Sequence, residues 1–127
     1  EDKPYTNLMK NVLEDLIESI NIALDAGVKR ENIILDPGIG FAKNYEENLI
    51  VMNNLEQIVN IGFPVLLATS RKSMIGLALE LPVDERVEGT IATTVMGIMK
   101  GCKMVRVHDV LENKRACIMT DKILKMK

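Results

Sequence analysis

Three short apolar runs constrain this chain most. Each ends in polar or charged residues, and each is followed by a helical pattern. They are Ile33-Ile34-Leu35, closing at Asp36; Pro64-Val65-Leu66-Leu67-Ala68, closing at Thr69 through Ser73; and Met104-Val105-Arg106-Val107, closing at His108 and Asp109. Runs of this length suit parallel strands covered on both faces. Parallel strands need helical crossovers, and these are right-handed. The expected order is therefore α-βα-βα(α)-βα, an α/β chain. Open α/β sheets and barrels place their chemistry at the carboxyl ends of the strands, where this chain gathers its polar residues.

The connecting segments carry the helical period. Leu8, Val12, Leu16, Ile20 and Leu24 recur every fourth residue, with Leu13, Ile17 and Ala23 beside them, which predicts a helix from Thr6 to Ala26. Thr6 or Asn7 is the expected cap, and Gly27 the left-handed stop. Asn44 followed by Glu47 predicts a capping box, ahead of a stripe of Leu49, Met52, Leu55, Ile58 and Val59. A short helix is expected from Ser73 to Glu80, broken at Leu81-Pro82. Another is expected from Asp84 to Lys100, whose Gly89, Ala92 and Gly97 allow close approach to a sheet. A last helix, Leu111 to Lys125, is expected to bury Ala116, Met119 and Ile123. Three βα units are too few to close a barrel, which needs eight.

Composition excludes several functions. The 127 residues form one domain, 1–127, 47% hydrophobic and 27% charged, with a formal charge of −2. That balance argues against nucleic-acid binding, which needs a basic face, and aromatics at 3% leave no stacking platform. No apolar run reaches a membrane span, and the acidic start EDKPYTN is unlike a signal peptide. Cys102 and Cys117 lie outside metal-ligand spacing and, with one histidine, make no typical zinc site. Free buried thiols in a reducing cytoplasm are expected.

If the strands are parallel neighbours, their ends bring Asp36, Lys72, Arg106 and His108 to one face. Each has a bland alternative: a helix-capping Asp, a solvated Lys, a structural ion pair of Arg106 with Asp36 or Asp109, a structural His. Arg106 is the most telling, because an arginine inside an apolar strand needs a partner or a ligand. Arg106 and His108, two residues apart, share a strand face. Asp36 accepts only and suits a ligand edge of adjacent N–H donors. Arg106 and His108 suit phosphate oxygens, and Lys72 adds a point charge and a donor. No nucleophile is evident, since neither cysteine is near a strand's carboxyl end and Ser70 and Ser73 lack a base within their motif. Positioning and charge stabilisation of a leaving group are favoured over covalent catalysis.

ILDPGIGFAK, LLATSRKSMIG and VRVHDV, in this order and spacing, resemble the dihydropteroate synthases, and the resemblance covers nearly the whole chain. It implies a (β/α)8 TIM barrel, of which this chain would be the C-terminal portion: about three βα units with parallel strands. The implied reaction joins p-aminobenzoate to 6-hydroxymethyl-7,8-dihydropterin pyrophosphate, giving 7,8-dihydropteroate and pyrophosphate in folate biosynthesis. Mg2+ is the family's usual ion, with ligands mostly outside this chain, and the family is a sulfonamide target. By resemblance Asp36 binds the pterin's amino and N–H edge, and Lys72 contacts the pterin and lines the aminobenzoate side. Arg106 and His108 handle the pterin face and the pyrophosphate. Ser73 receives the aminobenzoate carboxylate, and Phe41 borders that pocket. Lys72, Arg106 and His108 are the expected catalytic residues.

The family is typically dimeric, and the late helices are candidate contact surfaces. The early strands of the family pattern are absent. The isolated chain is therefore expected to be weak or inactive, as a truncated or split piece with exposed strand edges. Two alternatives differ in class: a pterin-binding barrel of the methyltransferase type, which the SRKS and RVHDV elements argue against, and a non-catalytic half-barrel that complements another fragment.

Overall fold

A computed structural model describes residues 4–126, with side chains from residue 7 onward. Helix α1 spans Pro4–Asp25. It is already helical at Pro4, a residue the first turn tolerates, so Thr6 and Asn7 lie inside it and do not cap it. Met9 and Ile20 are buried, while Ile17 and Leu24 of the expected stripe are exposed. Gly27 has φ +95°, with Gly27 N bonded to the Leu24 carbonyl and Val28 N to that of Ala23. This pair of bonds is a Schellman stop. A 3-10 turn, Arg30–Asn32, leads into the first apolar run.

That run is shorter than a strand. It makes one parallel bridge, Leu35 to Val65, in which Leu35 N donates to the Pro64 carbonyl and Leu66 N to the Leu35 carbonyl, both at 2.8 Å. Ile33 and Leu35 are buried but Ile34 is 54% exposed. The pattern is that of an edge covered on one face, not of a strand covered on both. Two-residue strands β1 (Leu66–Leu67) and β2 (Met104–Val105) pair in parallel, Leu66 with Met104 and Leu67 with Val105. β1 is the middle element, and Leu67 on it and Val65 just before it are fully buried. Among the described residues, no helix is long and apolar enough to cross a membrane.

Asn44 and Glu47 form the expected capping box at the start of α2 (Tyr45–Asn53), each side chain accepting from the other's backbone N–H at 2.8 Å. The predicted single helix is broken at Asn54 and resumes as α3 (Leu55–Val59). Asn54 has left helical geometry and donates from Nδ2 to the Ile50 carbonyl, local bonding that competes with the helix ladder. Val51, Leu55 and Ile58 form the centre of the core, while Leu49 is exposed.

After β1 come α4 (Ser73–Leu79), a 3-10 turn at Val83–Glu85, and α5 (Val87–Met99), which starts later than the sequence predicts because Asp84 and Glu85 belong to that turn. A Cβ at Gly97 would lie 2.5 Å from Leu67 Cδ2, so this glycine lets α5 settle on the sheet. Gly89 serves a different neighbour, Ile75 of α4, and Ala92 faces outward. Helix α6 (Val110–Leu124) also departs from expectation: Met119 and Ile123 are exposed, and Ala116 is half-buried. The face turned to α5 is polar. Thr94 Oγ1 donates to Asn113 Oδ1 at 2.8 Å, and Asn113 Nδ2 donates to the Asp109 carbonyl. Such buried polar groups are tolerated because each is bonded.

Candidate functional site

The three carboxyl ends are joined by loops whose backbone leaves little freedom. In the first, Asp36 Oδ1 accepts from Gly38 N at 2.8 Å. Gly38 and Gly40 have φ of +75° and +87°. At Gly40 two demands coincide, since a Cβ there would also lie 3.2 Å from Lys72 Cδ. Gly40 N donates to Oδ1 of Asn48, a buried side chain on α2. Lys43 Nζ donates to the Gly38 and Phe41 carbonyls from beneath the loop.

The second loop, residues 69–72, is fastened to α5 and its approach. Thr69 and Thr93 hydroxyls lie 2.7 Å apart, and Arg71 N donates to Thr90 Oγ1. Arg71 itself is left-handed, φ +57°. Its carbonyl accepts from Arg86 Nη1 at 2.8 Å, and its guanidinium meets Asp109 at 3.1 Å.

These loops bring Lys72, Arg106 and His108 onto one cavity of about 300 Å³, with Ala68, Ser70 and Val107. Lys72 Nζ donates to the Ile39 carbonyl at 2.5 Å and lies 4.8 Å from the Phe41 ring centroid. Burial lowers the Lys72 pKa. Asp36 acts against that shift, and the positive charges of Arg106 and Lys43 add to it. Asp36 thus acts on Lys72 electrostatically, although its side chain lines a separate cavity, about 330 Å³, on the α1 side. Phe41 is 64% exposed. Ser73 is exposed at the first position of α4 and does not line the Lys72 cavity.

Arg106 corrects one premise of the sequence reading. It is exposed, because β2 ends at Val105 and is an edge among the described strands. Its anticipated partner Asp109 is engaged by Arg71 instead. Ser70, without a base in its own motif, meets one from another loop: its Oγ lies 2.6 Å from His108 Nδ1 and accepts from His108 N at 3.0 Å. A hydroxyl on an imidazole is the start of a nucleophile–base pair. Here the hydroxyl is buried and tied at both bonds to the same residue, so the contact orients the ring. Cys102 and Cys117 are free and line a different cavity, on the far side of β2.

Asn48, Lys43 and Arg86 were not anticipated. A polar residue on the buried side of α2 was a signal for Asn48; Lys43 and Arg86 act through carbonyl contacts that leave no mark on periodicity. Among the described residues no three His, Cys, Asp or Glu side chains gather.

Residues 1–108 match a family described as pterin binding enzyme. Over 126 residues the chain is 68% identical to a dihydropteroate synthase of Clostridium beijerinckii, covering 98% of this chain and 47% of that protein. It is 56% identical over 123 residues to the Bacillus subtilis dihydropteroate synthase, covering 97% and 43%. Among solved structures it superposes at TM-score 0.90 on a Clostridium difficile dihydropteroate synthase determined in the presence of pteroic acid, 48% identical, covering 97% of this chain and 46% of that one. It superposes at TM-score 0.94 on a Coxiella burnetii dihydropteroate synthase in complex with pteroic acid, 34% identical, covering 99% and 47%. The chain therefore spans less than half the length of the relatives it matches.

Proposed function

The chain belongs to the pterin-binding enzyme family, and on that premise we propose that it supplies one wall of a dihydropteroate synthase active site. The overall reaction is condensation of 6-hydroxymethyl-7,8-dihydropterin pyrophosphate with p-aminobenzoate. The C–O bond to pyrophosphate breaks, and the aniline nitrogen attacks the exocyclic carbon and loses a proton. The single observation that carries the reading is the cavity on which Lys72, Arg106 and His108 meet.

Arg106 and His108 hold the departing pyrophosphate oxygens, and Lys72 offers a donor and a positive charge between that group and the pterin. Asp36 accepts from the pterin's N–H edge. One of its oxygens already takes Gly38 N, which fixes the carboxylate's orientation. Phe41 and Ser73 face the aminobenzoate. Every role is one of positioning and charge, which suits a cavity without a free nucleophile. Mg2+ remains an expectation drawn from the family, and no step assigned here runs through it. We place the activity in the cytoplasm. Pairing of two copies through the late helices belongs to the same reading and is checked by sedimentation.

The test is complementation. The chain is mixed with a fragment supplying the earlier strands, and pyrophosphate release is assayed with both substrates. Release is expected, and Lys72→Ala and Arg106→Ala should each cut it by about a hundredfold or more, as loss of a charge-stabilising donor does. Release that survives both substitutions overturns the site assignment.

A further inference from the structure

We infer that Ser70 is a positioning residue that sets the tautomer of His108, leaving Nδ1 bare and the proton on Nε2. The Ser70 hydroxyl has two contacts, both to His108. The backbone N–H can only donate, so Ser70 Oγ accepts there, at 3.0 Å. The hydroxyl proton then needs an acceptor. Ser70 is 9% exposed, and among the described residues His108 Nδ1, 2.6 Å away, is the acceptor within reach. A neutral imidazole whose Nδ1 accepts must carry its proton on Nε2. Nε2 has no protein hydrogen-bond partner among the described residues, and the ring lines the cavity shared with Lys72 and Arg106.

For the neutral ring, the consequence is that a donor and not an acceptor faces the cavity, beside two cations. Three fixed positive charges on one small cavity would repel each other when the site is empty. An imidazole held as an Nε2–H donor adds a hydrogen bond to an anionic oxygen without adding a third charge. Ser70 borders the same cavity, but both hydrogen bonds of its hydroxyl go to His108, so it acts through the ring. Its place is set by the loop it belongs to, with Thr69 held by Thr93 on one side and Arg71 N by Thr90 on the other. That the oxygen belongs to pyrophosphate rests on the proposed synthase reading; the tautomer does not.

His108 is the single histidine of the chain, so selective 15N labelling of histidine gives one imidazole to read. Two-bond proton–nitrogen spectra of the neutral ring in the wild-type chain are expected to show a bare Nδ1 and a protonated Nε2. Ser70→Ala should move both nitrogens toward the averaged shifts of a free ring, and Ser70→Thr should restore the wild-type pattern. Inorganic pyrophosphate should bind Ser70→Ala about tenfold more weakly than wild type, the scale of one lost hydrogen bond. A wild-type ring that is averaged or protonated on Nδ1 overturns the proposal, as does an unchanged pattern in Ser70→Ala. If the tautomer behaves as expected and pyrophosphate does not bind the wild type, the positioning role stands and the pyrophosphate reading falls.

Discussion

Arg86 donates from Nη1 to the Arg71 carbonyl at 2.8 Å and from Nε to the Leu81 carbonyl at 3.1 Å, tying the second loop of the site to the end of α4. It can do so because residue 76 has no side chain: a Cβ there would lie 2.2 Å from Arg86 Nη2. The guanidinium end is mobile enough to move aside. The expected cost of Gly76→Ala is therefore that of the two carbonyl bonds, about 1.5–3 kcal/mol each for a charged donor, and not a core clash. Arg86→Ala should cost a similar amount, and the double variant little more than either single one. Urea unfolding of the four chains completes the cycle; additive losses would contradict a shared cause.

Gly97 and Gly27 are expected to fail differently. At Gly97 an added methyl meets Leu67, a fully buried side chain, at 2.5 Å. Overpacking of about 1–3 kcal/mol should outweigh the gain of about 1 kcal/mol in helix propensity. At Gly27 nothing lies within 4 Å, but φ is +95°, so Gly27→Ala loses about 1–2 kcal/mol to backbone strain alone. Asparagine, which tolerates left-handed geometry, should be the milder substitution at Gly27 and the worse one at Gly97. Thermal melts of the four variants rank them.

Burial pushes the Cys102 thiol up from 9.0 to about 11. A raised acid pKa means that the folded chain keeps its proton where the unfolded chain has lost it. The contribution is whole below pH 9.0 and is lost as pH rises toward about 11. Cys102→Val should therefore show a shallower alkaline loss of stability than wild type. Cys117, raised by burial and by Asp121, keeps a contribution of the same sign in both. Equal alkaline slopes would rule out the assignment to Cys102. Thiol-reactive reagents at neutral pH should leave Cys102 unmodified until the chain unfolds.

Lys72 carries its charge at a desolvation cost. Burial is the largest cause of its lowered pKa, so the charged form is disfavoured in the folded chain. Lys72→Met keeps the aliphatic stem over Gly40 and removes that charge. It should unfold at a urea midpoint no lower than wild type while losing pyrophosphate binding. A clear drop in midpoint would mean that the bond to the Ile39 carbonyl outweighs desolvation.

The sequence revealed local features well, because local chemistry causes them. The Asn44–Glu47 box, the Gly27 stop and the order of helices and apolar runs depend on neighbours within a few residues. What it hid depends on which surfaces meet. Met119 and Ile123 have helical spacing, yet α6 turns Asn113 and Thr120 inward, because the partner face of α5 presents Thr94. Ile34 sits in an apolar run, yet its side of the run is left 54% exposed. The convergence of Lys72, Arg106 and His108 was legible from topology, since parallel strands must deliver their ends to one side. The Ser70–His108 bond was not, because it joins positions 38 residues apart.

That separation has a bearing on how the protein is made. The contacts of Lys72 with Ile39 and of Ser70 with His108 close loops of 33 and 38 residues. At equilibrium such closures are cheap, since each doubling of loop length adds only about 0.6 kcal/mol. During synthesis they come one after the other. A nascent chain that has emerged as far as Gly101 carries the ammonium and the carbonyl that receives it, but neither the imidazole nor Arg106. The cavity shared by Lys72, Arg106 and His108 can therefore form only after β2 has emerged and paired beside β1, whereas the Lys72–Ile39 contact can close earlier.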